Sequence, residues 1–124
     1  MKATKKILII DDDSRNIFAL NAVLKSKQYD CLSASSPLEG FQILSQNKDV
    51  GVVLMDMMMP FMDGYEAIAK MKEDEELKKI PVIAVTAQAM VGDRERCMEA
   101  GAVGYVSKPI NIDYLEKLLN HLID

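Results

Sequence analysis

The fold is decided first by ILIIDDD at residues 7–13, where four apolar residues run directly into three aspartates. A run that is apolar at every position suits a strand buried on both faces, as in a parallel sheet covered by helices on both sides. The change to three acids marks the carboxyl end of that strand, the edge where open parallel sheets hold their ligands. This stretch therefore predicts both an α/β fold and an acidic site beside its first strand.

Four further segments have the composition of strands. Two are compact apolar runs, a third is weaker, and the segment around Cys31 is mixed in polarity, as expected at the edge of a sheet. Helical stretches separate them, so five strands alternate with five helices, which is typical of a parallel sheet with helices on both faces. Right-handed connections favour the flavodoxin-like (βα)5 order 2-1-3-4-5. The predicted strands cover residues 7–10, 29–34, 50–55, 81–85 and 102–106.

The helical stretches carry recognisable start and stop signals. SPLE at residues 36–39 predicts a capping box with proline at the first helical position. Asp63 is followed three residues later by an acid, which predicts another start, and Gly101 predicts a stop. The helix predicted over residues 89–100 has the least periodic pattern. The last helix has the clearest apolar face, formed by Leu115, Leu118, Leu119 and Leu122.

Composition narrows the class of protein. The chain has 124 residues, 49% of them hydrophobic, which predicts one domain over residues 1–124 with its own core. A net charge of -4 and a pI near 5.0 argue against binding to nucleic acid or to an anionic membrane. The apolar run at residues 7–10 is too short for a signal peptide. Cys31 and Cys97 have no ligand spacing, so we interpret them as small hydrophobes in a reducing cytoplasm.

Polar side chains gather at the carboxyl ends of the predicted strands. Asp11 and Asp12 follow the first strand, and Asp56 follows the third. Thr86 comes at the end of the fourth strand, and Lys108 comes after the fifth. In the order 2-1-3-4-5, the first and third strands are neighbours where the strand order reverses. The three aspartates should therefore converge there, with the threonine and the lysine beside them.

Converging carboxylates resist ionisation unless a cation compensates their charge. A hard divalent ion with oxygen ligands, Mg²⁺ (or Mn²⁺), is the natural partner. Zinc is not favoured, because no cysteine adjoins these residues in the sequence and the single histidine, His121, is assigned to the surface of the last helix. A site with a dication, the Lys108 ammonium and the Thr86 hydroxyl can accept a phosphoryl group, with a carboxylate as nucleophile.

Ordinary structural interpretations of these residues stand beside the functional one. Aspartates after a strand often form a solvated loop and a helix cap, and we assign that role to Asp13 and Ser14. The methionines at residues 57–59 are assigned to packing or to the loop. A single acid, threonine or lysine at a strand end carries little weight. The acids, the threonine and the lysine together, all at the carboxyl ends of strands, favour a functional site.

Five pieces of the sequence, in order, resemble the receiver domain of two-component response regulators, including the chemotaxis-type regulators. The resemblance runs from Lys6 to about Ile123, and the pieces together are far more specific than any one alone. It implies a flavodoxin-like signalling switch that catalyses only its own Mg²⁺-dependent phosphotransfer and autodephosphorylation, rather than an enzyme acting on other substrates. The pieces are ILIIDDD at 7–13, VLMDMMMP at 53–60, MDG at 62–64, PVIAVTA at 81–87 and GYVSKP at 104–109.

The resemblance implies a chemical role for each acidic residue. Asp56 is implied to be the phosphoacceptor, which a phosphohistidine donor phosphorylates. Asp12, Asp56 and the backbone carbonyl of Met58 are implied to bind Mg²⁺ directly, while Asp11 acts largely through water. The bulky side chain of Met58 is expected to shield the phosphoryl group from water.

The resemblance also implies how the switch responds. Thr86 is implied to donate a hydrogen bond to a phosphoryl oxygen, and Lys108 to pair with another. A cis peptide bond before Pro109 is implied to aim the lysine into the site. Thr86 and Tyr105 are implied to form the switch pair, which repacks the face made by the fourth helix, the fifth strand and the fifth helix.

The implied partners are proteins. A histidine kinase or a histidine phosphotransfer protein would supply the phosphoryl group, and a downstream protein effector would read the phosphorylated state. Nucleic acid and membrane are not expected as partners, and the chain is expected to be a monomer or a weak dimer. The sequence leaves open whether the receiver acts alone or belongs to a larger hybrid kinase, and it does not identify the kinase, the output or the pathway.

Three other functions compete with the signalling switch. A Mg²⁺-dependent phosphatase with an aspartyl nucleophile would need a second acid two residues later, where Met58 stands. A flavin-binding protein would need a glycine- and hydroxyl-rich loop after the first strand, but the aspartates there would repel a phosphate. A receiver that only binds partners is not favoured, because Asp56, Thr86 and Lys108 are all present.

Overall fold

The computed structural model describes residues 5–87 and 90–123. In that part of the chain, five strands alternate with five α-helices, and a 3₁₀ helix spans Leu77–Lys79. The strands are β1 (Lys6–Ile10), β2 (Cys31–Ala34), β3 (Val50–Asp56), β4 (Val82–Thr86) and β5 (Gly104–Ser107). The helices are α1 (Ser14–Ser26), α2 (Pro37–Gln46), α3 (Gly64–Glu73), α4 (Asp93–Ala100) and α5 (Ile112–Ile123).

The strands form one parallel sheet in the order β2-β1-β3-β4-β5. This confirms the predicted flavodoxin-like fold and its strand order. The mixed strand β2 lies at an edge, as its composition predicted. β1 and β3 are neighbours where the order reverses, so their carboxyl ends lie side by side.

The core forms two layers, one on each face of the sheet. Side chains of a strand alternate between faces, so Leu8 and Ile10 of β1 enter one layer while Ile7 and Ile9 enter the other. The first layer includes residues of α2, α3 and α4, and the second includes residues of α1 and α5. Because both faces are covered, both sets of strand positions are apolar, which explains the uninterrupted apolar runs. Each fully buried leucine or isoleucine contributes roughly 1.5–3 kcal/mol of transfer free energy.

Two of the predicted helix starts have the expected caps. Asp13 is the N-cap of α1, and its side chain accepts a hydrogen bond from the backbone N–H of Arg15 at 2.9 Å. Asp63 and Glu66 form the reciprocal hydrogen bonds of a capping box at the start of α3. Both caps satisfy N–H groups that a helix start leaves without intrahelical partners. They fix where the chain turns away from the carboxyl ends of β1 and β3.

The predicted capping box at the start of α2 is half wrong. Ser36 accepts from the backbone N–H of Glu39 at 3.2 Å, as predicted. The Glu39 carboxylate, however, accepts from the backbone N–H of Ser35 at 2.6 Å, one residue before the N-cap. The Ser35 hydroxyl donates to the same Glu39 oxygen at 3.1 Å, so the residue before the N-cap offers the glutamate two donors.

Helix α4 is short and has few apolar anchors. Residues 90–92 are not helical, so the predicted start near residue 89, which itself lies outside the described residues, is wrong by several positions. The predicted stop is confirmed, because Gly101 follows the helix with a φ of 122°. Asp93 and Cys97 are the two residues of α4 that are buried. A helix with one buried apolar side chain gives little periodicity to detect in a sequence.

The cysteines agree with their interpretation as hydrophobes. Cys97 is buried, Cys31 is half-buried, and both are free thiols. Within residues 5–87 and 90–123, no helix combines the length and the apolar character that crossing a bilayer requires. The assignment of the whole chain to one domain stays a prediction.

Candidate functional site

The residues that the sequence singled out lie along the carboxyl edge of the sheet. Asp11 and Asp12 directly follow β1, and Asp56 is the last residue of β3. Thr86 is the last residue of β4, and Lys108 directly follows β5. Their proximity follows from the topology, because parallel strands all end at the same edge.

Three carboxylates form the centre of this edge. Oxygen atoms of Asp11, Asp12 and Asp56, which we call the carboxylate cluster, all lie within 4.8 Å of one another. Asp11 and Asp56 are 6% and 5% exposed, whereas Asp12 is exposed. This donor set is all oxygen, half open to solvent and strongly anionic, which fits a hard cation such as Mg²⁺.

The surroundings of Asp56 disfavour the charged form of its carboxylate. Burial, with a further contribution from the neighbouring Asp11, raises its pKa to about 6. The Met58 backbone N–H, which donates to Asp56 Oδ1 at 3.0 Å, and the Lys108 ammonium oppose that rise in pKa. The N–H fixes the orientation of the carboxylate at the end of β3, so Asp56 is both held in place and incompletely compensated.

Lys108 supplies the positive charge that the structure places in the site. Its Nζ lies 3.3 Å from Asp11 Oδ2 and 3.9 Å from Asp56 Oδ2. Its backbone N–H donates to the carbonyl of Thr86 at 2.8 Å, which ties the end of β5 to the end of β4. The peptide bond between Lys108 and Pro109 is cis. The ammonium is therefore positioned between the carboxylates by the two strands together.

Comparison with protein families decides what this edge belongs to. The family model of the response regulator receiver domain matches residues 7–120. The chain belongs to this family. The receiver resemblance predicted from the five sequence pieces is thereby confirmed, and so is its place in two-component signalling.

Relatives and solved structures agree with this membership. The polar-differentiation response regulator DivK of Brucella ovis is 36% identical over 122 residues, covering 98% of each chain. The receiver domain of a Pseudomonas aeruginosa sensor histidine kinase, solved with a magnesium ion in its active-site cleft, is 30% identical with a TM-score of 0.85, covering 97% of this chain and 98% of that one. The receiver of yeast Ssk1, solved with the phosphotransfer protein Ypd1, shares the fold with a TM-score of 0.87 at 20% identity, covering 98% of this chain and 90% of that one.

Two cavities flank the carboxyl edge of this receiver. One of about 340 Å³ lies between α1 and α5 and is lined by Asp11, Asp56 and Lys108 among mostly apolar side chains. The other, of about 480 Å³, is lined by Thr86 together with residues of the loop after β3 and of α4. Thr86 itself is 1% exposed. Thr86 therefore lies at the carboxyl edge of the sheet and lines the cavity that α4 borders.

Tyr105 is engaged with a residue that the sequence analysis did not select. Its hydroxyl donates to Oδ2 of Asp93 at 2.8 Å, and the hydroxyl of Tyr65 donates to Oδ1 of the same carboxylate at 3.0 Å. We call Asp93, Tyr65 and Tyr105 the tyrosine–aspartate cluster. Burial and the hydrogen bond to Asp93 raise the pKa of Tyr105 to about 12, so its hydroxyl remains a donor. Asp93 lies 28 positions after Tyr65 and 12 positions before Tyr105, and no pattern in the sequence predicts contacts at these separations.

The remaining residues separate clearly into core and surface. Met57 and Met59 are buried, while the side chain of Met58 is 49% exposed and lines the second cavity. The predicted role of its backbone carbonyl as a metal ligand stays a prediction. His121 is exposed in the last turn of α5, in agreement with its assignment to the surface.

Proposed function

We propose that this receiver is a phosphoryl-accepting switch in which Asp56 is the phosphoacceptor. The observation that carries the proposal is the position of its carboxylate, 5% exposed, among Asp11, Asp12 and the Lys108 ammonium. A nucleophile needs a fixed orientation and a site that stabilises the charge of the group it receives. The Met58 N–H supplies the first, and Lys108 supplies part of the second.

The phosphotransfer step balances with groups on this chain and a phosphohistidine donor. An oxygen of Asp56 attacks phosphorus, the phosphorus–nitrogen bond of the donor breaks, and the donor imidazole keeps the electron pair and takes up a proton. The product is an acyl phosphate on Asp56. In autodephosphorylation, water attacks phosphorus, the Asp56 carboxylate leaves and inorganic phosphate is released.

The carboxylate cluster and the Met58 carbonyl would hold a Mg²⁺ ion, for which Mn²⁺ could substitute. Such an ion supplies charge neutralisation to the phosphoryl oxygens. Lys108 approaches the same edge from β5 and pairs with a phosphoryl oxygen. Thr86, at the end of β4, donates its hydroxyl to another.

The response is transmitted to the face made by α4, β5 and α5. Phosphorylation adds roughly -1.5 to -2 charges and new acceptor oxygens, and it shifts populations only through contacts that differ between the two states. Thr86 is drawn toward the phosphoryl group, and Tyr105, on the same face of the sheet, turns into the space that opens. A downstream protein effector reads the repacked face.

The proposed donor is a histidine kinase or a histidine phosphotransfer protein. The complex of the yeast Ssk1 receiver with Ypd1 supports this class of donor, since that receiver has the same fold. Free thiols at Cys31 and Cys97 support a reducing cytoplasmic setting. The proposed chemistry is limited to the receiver's own phosphorylation and dephosphorylation.

Acetyl phosphate tests the proposal directly. Incubation with acetyl phosphate and Mg²⁺ should add one labile phosphoryl group to the wild type, seen by intact mass, and a chelator should prevent it. Asp56→Asn should gain none, while Asp13→Asn, which alters a half-buried acid of the same edge, should gain it normally. An adduct of equal size on Asp56→Asn would contradict the assignment, and continuous release of phosphate from many small esters would favour a phosphatase.

A further inference from the structure

A buried aspartate in α4 has no part in the phosphoryl chemistry. Asp93 is the first residue of α4 and is 8% exposed. Acids in the first turn of a helix usually face solvent, where they stabilise the positive end of the helix dipole. Here Gly92 occupies the N-cap without a side-chain hydrogen bond, and the Asp93 carboxylate turns into the protein. Burying a carboxylate costs free energy unless the group is hydrogen-bonded, so its hydrogen-bond partners indicate its role.

Both oxygens of Asp93 are occupied by tyrosine hydroxyls from other elements. Tyr65 lies in the first turn of α3 and donates to Oδ1, while Tyr105 lies in β5 and donates to Oδ2. The Arg96 guanidinium carbon lies 4.6 Å from the centroid of the Tyr65 ring, which adds a cation–π contact between α3 and α4. One carboxylate thus joins α3, α4 and β5.

The hydrogen bond to Asp93 restricts where the Tyr105 ring can be. Tyr105 pairs in register with Ala84 of β4, and Thr86 lies two residues further along the same face of that strand. Movement of the ring toward Thr86 requires its hydroxyl to leave Asp93, because the carboxylate is fixed at the start of α4. Hydrogen bonds to charged acceptors are among the stronger ones in proteins.

We propose that Asp93 is a positioning residue that holds Tyr105 against α4 in the resting receiver, so that phosphorylation of Asp56 has to compete with this hydrogen bond. The proposal rests on the proposed function of Asp56. A contact present only in the resting state opposes the phosphorylated state by its full strength. Removing it raises the population with Tyr105 released, and reciprocal coupling raises the affinity of Asp56 for a phosphoryl group or its mimic by the same factor.

Beryllofluoride, a non-covalent mimic of the phosphoryl group, provides the measurement. Its apparent affinity in the presence of Mg²⁺ is determined on the full chain by calorimetry or NMR. Asp93→Ala should bind it about threefold to tenfold more tightly than the wild type, and Asp93→Asn, which keeps one acceptor oxygen, should show a smaller gain. A merely structural role predicts unchanged or weaker binding. Glu95→Gln, which alters an exposed acid in the same helical turn, should bind as the wild type does.

A second variant keeps the test valid if Asp93→Ala does not fold. Tyr105→Phe removes the same hydrogen bond from the other side and retains the ring. It should tighten beryllofluoride binding to a similar extent, and adding Asp93→Asn to it should bring no further gain. Unchanged or weaker binding by both single variants overturns the inference alone. If the wild type binds no more beryllofluoride than Asp56→Asn does, the proposed function is overturned, and this inference with it.

Discussion

Asp56 at the end of β3 and Asp93 at the start of α4 are both buried, and their surroundings differ. Asp56 shares its edge with Asp11 and Asp12, and one backbone N–H and a lysine 3.9 Å away partly compensate its charge. Asp93 accepts from a tyrosine hydroxyl at each of its oxygens. The first carboxylate remains short of positive charge and can gain from a cation or react, whereas the second is satisfied by the protein and holds elements together. Equal burial therefore does not indicate equal function.

The largest effect is expected from changing the charge of the carboxylate cluster. Asp12→Asn removes one anionic oxygen donor, so Mg²⁺ affinity should fall by about tenfold or more, measured by calorimetry and by the Mg²⁺ dependence of phosphorylation. The matched change Asp13→Asn alters the N-cap of α1 and should leave the Mg²⁺ dependence in place. Equal losses in the two variants would mean that the cluster has no special part in binding the ion.

Replacing Asp56 and Asp93 separately by asparagine should change the free energy of unfolding in opposite directions. Asp56→Asn relieves a desolvated and repelled charge and should raise the free energy of unfolding in Mg²⁺-free buffer by about 1–2 kcal/mol. Asp93→Asn removes one of two acceptor positions and should lower it by about 1–2 kcal/mol. Denaturant titration of both variants measures the two signs, and the same sign for both would remove the contrast between the two sites.

The same contrast predicts that Asp56 makes the stability of the protein depend on pH. Its folded-state pKa, about 6, lies above the ordinary aspartate pKa of 3.8, so the folded state binds the proton more tightly than the unfolded state does. The stabilisation from this group is therefore fully present below pH 3.8 and is lost as the pH rises through about 6. In a chelator, the stability of the wild type relative to Asp56→Asn should fall between pH 4 and pH 7, by roughly 1–2 kcal/mol. A difference that does not change with pH would mean that Asp56 titrates normally.

The smallest effect is expected at Met58, the exposed residue between the two sites. Its side chain, 49% exposed, lines the cavity that reaches from the loop after β3 to Asp93. Met58→Asn replaces an apolar cover by a group that can hold water, so the aspartyl phosphate should decay a few-fold faster. Following the decay of the labile mass adduct measures this, and an unchanged lifetime would show that Met58 does not shield the phosphoryl group.

The fold could be predicted from the sequence because short apolar runs mark its strands locally. Each apolar run ends at a polar residue, and parallel topology then places Asp11, Asp12, Asp56, Thr86 and Lys108 at one edge without further information. The carboxylate cluster could therefore be predicted from the sequence alone.

The tyrosine–aspartate cluster could not be predicted in the same way. Asp93 occurs in a helix with little apolar periodicity, where an acid in the first turn has an ordinary explanation as a partner of the helix dipole. Its burial depends on how α3, α4 and β5 pack, and on two hydroxyls whose distances in the chain follow no pattern. The second bond of the α2 capping box also differs from the prediction, because Ser35 offers Glu39 both its backbone N–H and its hydroxyl.

The scarcity of apolar anchors in α4 has a consequence for how such a receiver can diversify. The reactive groups stand on a sheet whose strands are buried on both sides, while α4 contributes a single buried apolar side chain, Cys97. Arg94, Glu95 and Glu99 of this helix are exposed, so they can be exchanged with little cost to folding. Under the proposed function, the choice of effector can therefore vary on this helix while the phosphorylation of Asp56 stays the same.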